Sequence, residues 1–206
     1  MTTFIFIRHG ETLWTQQKRY QGHSDIRLNA RGRGDAKRAA NMVRAYGIDI
    51  LYASPLARAR ETAEIIAGRI QKKPRPDARI REISFGRWEG RTAQQILKDR
   101  DPVFRKWCRG IWVTPPDGES RALFQRRVAS FLRDCLRRHP GKKVAVVSHG
   151  GTIKMMIFEL LKLRKISLWS IRVDPGSVSV LTVYRDFTQL VLLNRGSRAT
   201  EENLKK

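Results

Sequence analysis

The chain has 206 residues, and its 41% hydrophobic and 30% charged residues are typical of a folded globular protein rather than a disordered one. Its net charge of +23 would attract polyanions, but the basic residues are scattered and form neither a basic arm nor an RNA-binding motif. We therefore do not expect a nucleic-acid partner. No stretch approaches the roughly 18 apolar residues of a membrane span, so we do not expect a membrane partner either.

Strands and helices alternate along the first part of the chain. The apolar run at residues 4–7 predicts a short strand, and alanines at helical spacing predict a helix at residues 29–45. A second strand is expected at residues 48–52, and the helix after it begins at Pro55 and runs to residue 70. Residues 72–79 are interpreted as a basic, proline-bearing connection.

The second part contains the clearest helical pattern, at residues 120–138. Residues 144–147 are all apolar, as in a strand that is buried on both faces of a sheet. The other predicted elements are a partly helical segment at 91–109, a loop at 110–119, a helix at 152–163 and strands at 177–183 and 189–193. This alternation predicts an α/β fold, a three-layer α/β/α sandwich with a mainly parallel central sheet. We expect one domain over residues 1–206, with disorder at the polar end, residues 200–206.

Basic and imidazole side chains follow three of the predicted strands. Arg8 and His9 come after the first strand, Arg58 lies shortly after the second, and His149 follows the strand at 144–147. Because the carboxyl ends of parallel strands meet at one edge of a sheet, these side chains are expected to converge. Arginine binds two phosphate oxygens at once, and a neutral imidazole can attack phosphorus. The pattern therefore indicates phosphate chemistry.

Glycine follows each of these histidines. We expect Gly10 to leave room for an anion beside the backbone, and Gly150 to open a helix whose N-terminal amides add donors there. Each residue alone has an ordinary alternative, since a lone histidine after a strand is more often structural and Arg58 could be a solvated surface residue.

Several sequence segments form a set that extends over nearly the whole chain. They are "FIRHGETLW" at 6–14, "RYQGHSDIRLNARGRGDA" at 19–36, "LYASPLARARETAEII" at 51–66, "REISFGRWEG" at 81–90, "PPDGES" at 115–120, "VSHGG" at 147–151 and "LLN" at 192–194. In this order the set resembles the histidine phosphatase superfamily, the phosphoglycerate mutase-like proteins. The resemblance implies the phosphoglycerate mutase-like fold.

The resemblance also implies a role for each matching residue. His9 would be the nucleophile that forms a phosphohistidine, while Arg8, Arg58 and His149 would surround the phosphoryl oxygens. Glu82 would protonate the leaving alcohol and then activate water. No metal or other cofactor is implied, and the sequence offers no coherent carboxylate or cysteine cluster for a metal ion.

Four further positions are expected to bind substrate. Gln21 and Gly22 keep the family pattern in the loop beneath the pocket, and Gly150 belongs to the "VSHGG" motif. Thr15 stands where an asparagine that helps to bind phosphate is common in the family, and its hydroxyl could donate one hydrogen bond. His23 lies outside the motifs, as does His139, and both are assigned to surface or local structure.

Three functions are compatible with these motifs: a phosphatase of small phosphorylated metabolites, a cofactor-dependent phosphoglycerate mutase, and a non-catalytic basic binding protein. The segment at 81–90 resembles phosphatases, including the α-ribazole phosphatases, whereas mutases differ around the acid and are usually longer. A non-catalytic binding protein is disfavoured because all five residues to which the resemblance gives catalytic roles are present: Arg8, His9, Arg58, Glu82 and His149. We therefore expect a metal-independent phosphomonoesterase, with α-ribazole-5′-phosphate among its candidate substrates.

The segment at 98–118 carries Phe104, Trp107 and Trp112. It is expected either to form a lid-like roof over the site or to pack these aromatic side chains into the core.

Two cysteines, Cys108 and Cys135, form neither a disulfide framework nor a metal-binding spacing. Together with the lack of a signal peptide at the N-terminus, this predicts a reduced, cytoplasmic location. A small phosphorylated substrate is the expected partner, and a homodimer is a possible assembly.

Overall fold

Six strands form one mixed sheet at the centre of the protein. The computed structural model describes residues 1–163 and 167–196, so the expected disorder at 200–206 lies outside the described residues. The strands are β1 (Thr2–Arg8), β2 (Ile50–Ala53), β3 (Pro74–Pro76), β4 (Lys143–Ser148), β5 (Val178–Val183) and β6 (Thr188–Arg195). Their order in the sheet is β3-β2-β4-β1-β5-β6, with the first four parallel and the last two antiparallel to their neighbours. The prediction of a mainly parallel sheet is confirmed.

Helices cover both faces of this sheet. They are α1 (Leu13–Gln16), α2 (Ala30–Arg44), α3 (Ala57–Ile70), α4 (Ala93–Lys98), α5 (Pro102–Cys108), α6 (Arg121–Arg138) and α7 (Gly150–Leu160). Within residues 1–163 and 167–196, none of the helices is long and apolar enough to cross a membrane.

The alternation of side chains along β1 explains the three layers. Phe4 and Phe6 point to one face and are buried against α6 and α7, whereas Ile5 and Ile7 point to the other face and are buried against α2 and α3. Each fully buried side chain of this kind contributes about 1.5–3 kcal/mol to folding. A strand that is apolar on both faces is therefore stable at the centre of an α/β/α sandwich, which confirms the predicted fold class.

Two elements differ from the sequence-based expectation. Pro74 and Pro76 lie in strand β3, which pairs with β2 at the edge of the sheet, where a missing backbone N–H costs no ladder bond. The helical segment at 91–109 is two helices, because Pro102 begins α5 and the side chain of Asp101 caps it by accepting from the amides of Val103 and Phe104.

A third apolar cluster lies apart from the two faces of the sheet. We call it the aromatic cluster; its buried members are Trp88, Ile96, Phe104 and Trp107. Edge-to-face contacts hold its rings together, with centroid distances of 4.9 Å between Trp88 and Phe104 and 5.8 Å between Trp88 and Trp107. Partly buried Tyr20 and Phe85 pack against it.

Candidate active site

The strand order brings the predicted histidines together. Strands β1 and β4 are parallel neighbours with Arg8 opposite Ser148, and the amide of His9 donates to the Ser148 carbonyl over 2.9 Å. The ring centroids of His9 and His149 are consequently 5.2 Å apart. Strand β2 lies on the other side of β4, so the first turn of α3 places Arg58 at the same edge of the sheet.

This edge carries an open pocket with a volume of about 250 Å³. Seven of the residues predicted from the sequence line it: Arg8, His9, Gln21, Gly22, Arg58, Glu82 and Gly150. His149 and Thr15 lie behind this lining. We call Arg8, His9, Arg58, His149 and Glu82 the pocket floor.

His9 is buried and oriented by its neighbour. Its Nδ1 donates to the carbonyl of Gly10 over 2.7 Å, since a carbonyl can only accept, and this leaves the lone pair on Nε2. Burial, and then the positive charges of Arg58 and Arg8, lower the pKa of His9 well below its usual value. The ring is therefore neutral near pH 7, which is the form that can attack phosphorus.

Arg58 is fully buried, and each nitrogen of its guanidinium has a partner. Nη1 donates to the Ser24 carbonyl over 2.8 Å, Nη2 to the Gly22 carbonyl over 2.7 Å, and Nε to Nδ1 of His149 over 3.2 Å. Burial lowers its pKa to about 10, so the side chain remains charged at neutral pH. The guanidinium is thus fixed in place before any anion binds.

His149 follows β4 and precedes the first turn of α7. Its Nδ1 accepts from Arg58, so Nε2 carries the proton and donates to the Ser54 hydroxyl over 2.8 Å. Burial, followed by the charge of Arg58, lowers the pKa of His149 well below its usual value. This neutral ring supports the arginine and packs beside His9.

Arg8 has an unused donor at the pocket. Its Nη1 donates to the Val173 carbonyl over 2.7 Å, whereas its buried Nε has no hydrogen-bond partner within the described residues. A Cβ at position 150 would lie 3.3 Å from the Arg8 guanidinium carbon, so Gly150 lets the arginine lie against the backbone. An unpartnered buried N–H is costly, and an anion in the pocket would satisfy it.

Glu82 sits against the N-terminus of α7. Its Oε1 accepts from the amides of Ile83 and Thr152, both at 3.1 Å. The Thr152 hydroxyl lies 3.2 Å from Oε1 and donates to the Arg81 carbonyl over 2.8 Å. Oε2 of Glu82 accepts one bond, from the Gly151 amide at 3.0 Å, and so retains a free position for a proton. A Cβ at position 151 would lie 2.7 Å from Oε1, so a larger residue there would displace the Glu82 carboxyl.

The main chain at Glu82 is held by a partly buried ion pair that motif reasoning missed. Arg127 on α6 forms a two-point contact with Glu119 and donates to the carbonyls of Arg79, Arg81 and Glu82, each over 2.7 Å. No feature of the sequence marks this contact, because Arg127 is one of several arginines on α6.

Glu89 organises the loop that holds Arg58. Its carboxylate accepts from the amides of His23 at 2.9 Å and Ser24 at 2.8 Å. Gly22 has φ +50°, and a Cβ there would lie 2.0 Å from Glu89 Oε1. The carbonyls of this loop therefore face Arg58. His23 also donates through Nε2 to the Glu82 carbonyl over 2.8 Å, which makes it part of the local structure.

Thr15 is engaged in a ring of hydrogen bonds behind the pocket. Thr12 Oγ1 donates to Gln21 Oε1 over 3.1 Å, and Gln21 Nε2 donates to Thr15 Oγ1 over 2.8 Å. The Thr15 proton is then directed to Thr12 Oγ1, 3.0 Å away, which closes the ring. In this arrangement Thr15 orients Gln21, which does line the pocket.

The structure gives Gly10 a different role from the expected one. A Cβ at this position would lie 2.1 Å from the carbonyl oxygen of Gly32 in the first turn of α2. Gly10 is thus required by the close approach of α2, and it serves His9 through its carbonyl rather than by making room for an anion.

Six further residues of the pocket lining were not predicted as site residues. Two are basic, Arg19 and Lys154, two are aromatic, Tyr20 and Phe85, and the remaining two are Gly151 and Val173. Phe104 and Trp107 of the segment at 98–118 are buried in the aromatic cluster, which supports the two aromatic lining residues from behind. In the described ranges, no group of three or more His, Cys, Asp or Glu side chains could hold a metal ion.

Comparisons with known proteins identify the family of this chain. The model of the histidine phosphatase superfamily (branch 1) matches residues 4–196. Phosphoserine phosphatase 1 of Hydrogenobacter thermophilus is 33% identical over 195 residues, covering 94% of this chain and 92% of that protein. A relative from Yersinia enterocolitica named probable phosphoglycerate mutase GpmB is 34% identical over 164 residues, covering 79% and 76%.

The fold is also shared with solved structures. The α-ribazole phosphatase of Shigella flexneri superposes with a TM-score of 0.83 at 28% identity, covering 93% of this chain and 96% of that one. The family match begins inside β1 and ends one residue after β6, so it includes every strand that forms the pocket edge. The chain belongs to branch 1 of the histidine phosphatase superfamily.

Proposed function

We propose that this protein is a metal-independent phosphomonoester hydrolase that acts on small phosphorylated metabolites through a phosphohistidine at His9. The observation that carries the proposal is the state of the His9 ring. It is neutral, its Nδ1 is bound to the Gly10 carbonyl, and its Nε2 lone pair is free at a pocket flanked by two arginines. This is the arrangement that a nucleophile toward a phosphate dianion requires.

In the first step, Nε2 of His9 attacks phosphorus and the bond to the ester oxygen breaks. Glu82 in its acid form gives its proton from Oε2 to the leaving oxygen, so the alcohol departs neutral. Arg8 and Arg58 bind the phosphoryl oxygens through their uncommitted N–H groups, and Gly150 and Gly22 allow the close approach. His149 keeps Arg58 oriented.

In the second step, the Glu82 carboxylate accepts a proton from water, and the oxygen of that water attacks the phosphohistidine. The P–N bond breaks, inorganic phosphate is released, and His9 returns to its neutral form. Gln21 borders the same space, and we assign to Thr15 the role of orienting it.

A mutase would use the same intermediate but must exclude water from it. The pocket that the described residues form is open to solvent, which favours hydrolysis over a mutase reaction. One relative carries a mutase name, so interconversion of 2- and 3-phosphoglycerate in the presence of 2,3-bisphosphoglycerate is the assay for that alternative.

The proposal includes one catalytic domain over residues 1–206 and a cytoplasmic location, supported by the family match over residues 4–196 and by the unpaired thiols of Cys108 and Cys135. A homodimer remains a possible assembly, which light scattering of the purified protein would test. Phosphoserine and α-ribazole-5′-phosphate, suggested by the names of relatives, are candidate substrates.

The test is the hydrolysis of 4-nitrophenyl phosphate in EDTA, together with trapping of ³²P-labelled protein under alkaline denaturing conditions. We expect phosphate release and labelling with the wild type, and the loss of both with His9→Ala. His139→Ala is the matched control, because that ring lies after α6, where it bonds to Tyr52. Undiminished hydrolysis by His9→Ala would contradict the proposal.

A further inference from the structure

The pocket contains more positive charge than a phosphoryl group needs. Arg8 and Arg58 surround the proposed position of the phosphate, and Glu82 is held by the N-terminus of α7. Two further cations line the same space: Arg19, in the loop between α1 and α2, and Lys154, on α7. Arg19 donates to Gln17 and to the Gly90 carbonyl. Because the phosphate is already balanced by two arginines, Lys154 is the cation that is most available to another anionic group of the substrate.

Lys154 lines the same pocket as the proposed acid, Glu82. The lysine lies on α7 four residues after Gly150 and three after Gly151, so helical spacing puts it on the same face of the helix as both pocket glycines. Arg8 and Glu82 are among its electrostatic neighbours. The ammonium therefore shares the pocket with the carboxyl that is proposed to protonate the leaving alcohol.

The Lys154 ammonium also lacks a partner in the fold. Within residues 1–163 and 167–196, its Nζ forms neither a hydrogen bond nor an ion pair, although the side chain is half-buried. Burial and the charge of Arg8 lower the pKa of Lys154, which means that the charged form is destabilised in the ligand-free pocket. Asp174 is the other carboxylate that influences it, and this residue is already bound to Arg172 at 2.8 Å and Asn194 at 2.9 Å.

We propose that Lys154 binds a carboxylate on the leaving group, so that the preferred substrates are phosphomonoesters of small alcohols that also carry a carboxylate. This inference rests on the proposed hydrolase function. A volume of about 250 Å³ fits a compact substrate. A single ammonium matches a single carboxylate, and the phosphate would bind the two arginines at the other end.

The experiment compares two substrates with the same three-carbon skeleton. 3-Phosphoglycerate has a carboxylate where glycerol 3-phosphate has a hydroxymethyl group, and 4-nitrophenyl phosphate reports on hydrolysis without either group. We expect the wild type to prefer 3-phosphoglycerate over glycerol 3-phosphate by about 10- to 100-fold in kcat/KM, the range expected for one charge-assisted hydrogen bond. Lys154→Met should bring this ratio close to one, and Lys154→Arg should retain most of it.

Lys37→Met on the exposed face of α2 is the matched control and should leave the ratio unchanged. An unchanged ratio in Lys154→Met, or an equal loss on all three substrates, would overturn the inference. A preference of the wild type for α-ribazole-5′-phosphate over 3-phosphoglycerate would overturn it as well. Failure of the proposed function gives a different result, since the wild type would then hydrolyse none of these esters in EDTA.

Discussion

The pocket floor and the aromatic cluster lie next to each other but are held together by different forces. In the floor, the buried groups are polar, and main-chain carbonyls, a serine hydroxyl and helix amides fix their orientation. In the aromatic cluster the buried groups are rings that meet edge to face, and Phe104 is fully buried. A polar site needs each partner in place, whereas an apolar cluster tolerates substitution of similar volume.

This difference separates chemistry from stability. Substitutions in the floor should reduce catalysis strongly and leave folding largely intact, and substitutions in the aromatic cluster should do the reverse. The following predictions test that separation, from the largest expected change in activity to the smallest.

After His9→Ala, which should abolish hydrolysis, Arg58→Lys should cause the largest loss. A lysine keeps the charge but cannot contact Gly22, Ser24 and His149 at once, so the cation is no longer fixed toward the phosphate. We expect kcat/KM for 4-nitrophenyl phosphate to fall by about 10²–10³, the cost of removing one such electrostatic contact. Arg60→Lys, a solvent-exposed change on the same helix, is the control and should have little effect. Equal rates in the two variants would show that the Arg58 geometry is not needed.

Gly151→Ala should have the second-largest effect, because the new methyl group would lie 2.7 Å from Glu82 Oε1 and displace the carboxyl. We expect a loss of about 10- to 100-fold in kcat/KM on alkyl phosphates, whose poor leaving groups need a proton donor, and a smaller loss on 4-nitrophenyl phosphate. Gly68→Ala in α3 is the control, since nothing lies within 4 Å of the added methyl group. A loss that is independent of the leaving group would argue against Glu82 as the acid.

The sequence predicted the elements that carry the floor but not the contacts that support it. Motif residues follow strands, and neighbouring parallel strands place Arg8, His9 and His149 at one edge. Arg127 could not be predicted in the same way, because helical periodicity identifies a buried face without saying which main chain lies across it. Gly10 was misinterpreted for a related reason, since its close neighbour, Gly32, is brought by a separate helix.

For the fold as well, the sequence predicted most of the elements but not how they are arranged. Alternating apolar runs predicted the sheet and its layers, but strand order depends on crossovers that a single sequence does not specify. Strand β3 was missed because two prolines argue against a strand. They are tolerated because β3 lies at the edge of the sheet, and this position is known only once the sheet is assembled. The lid-like segment at 98–118 stays a prediction, and its buried rings support Tyr20 and Phe85 at the pocket wall.

Titration of the floor histidines should give a smaller but direct signal. Burial, with Arg58 second, lowers the pKa of both His9 and His149, so in the free protein both NMR imidazole signals should stay neutral until the pH is well below 6.5. Bound sulfate should raise both midpoints, because an anion that forms no covalent bond to Nε2 stabilises the imidazolium.

The same shift fixes the sign of the effect on stability. Between the folded pKa and 6.5, the unfolded chain binds more protons than the folded protein, so the contribution of these histidines is complete above about pH 6.5 and declines as the pH falls. Urea unfolding at several pH values, with and without sulfate, measures this change in the free energy of unfolding. Midpoints near 6.5 for both histidines in the free protein would contradict the prediction.

Phe104→Leu in the aromatic cluster should change activity least. The ring is fully buried and contacts Trp88 and Tyr20 edge to face, so its replacement leaves a gap and should lower the free energy of unfolding by about 1–3 kcal/mol. We expect kcat for 4-nitrophenyl phosphate to stay within about twofold, because the cluster supports the pocket wall and not the floor. Leu97→Ala, an exposed change on α4, is the control for stability. If Phe104→Leu instead reduced kcat as strongly as Gly151→Ala while unfolding was unchanged, the aromatic cluster would have to act in the chemical step, and the separation between the two regions would fail.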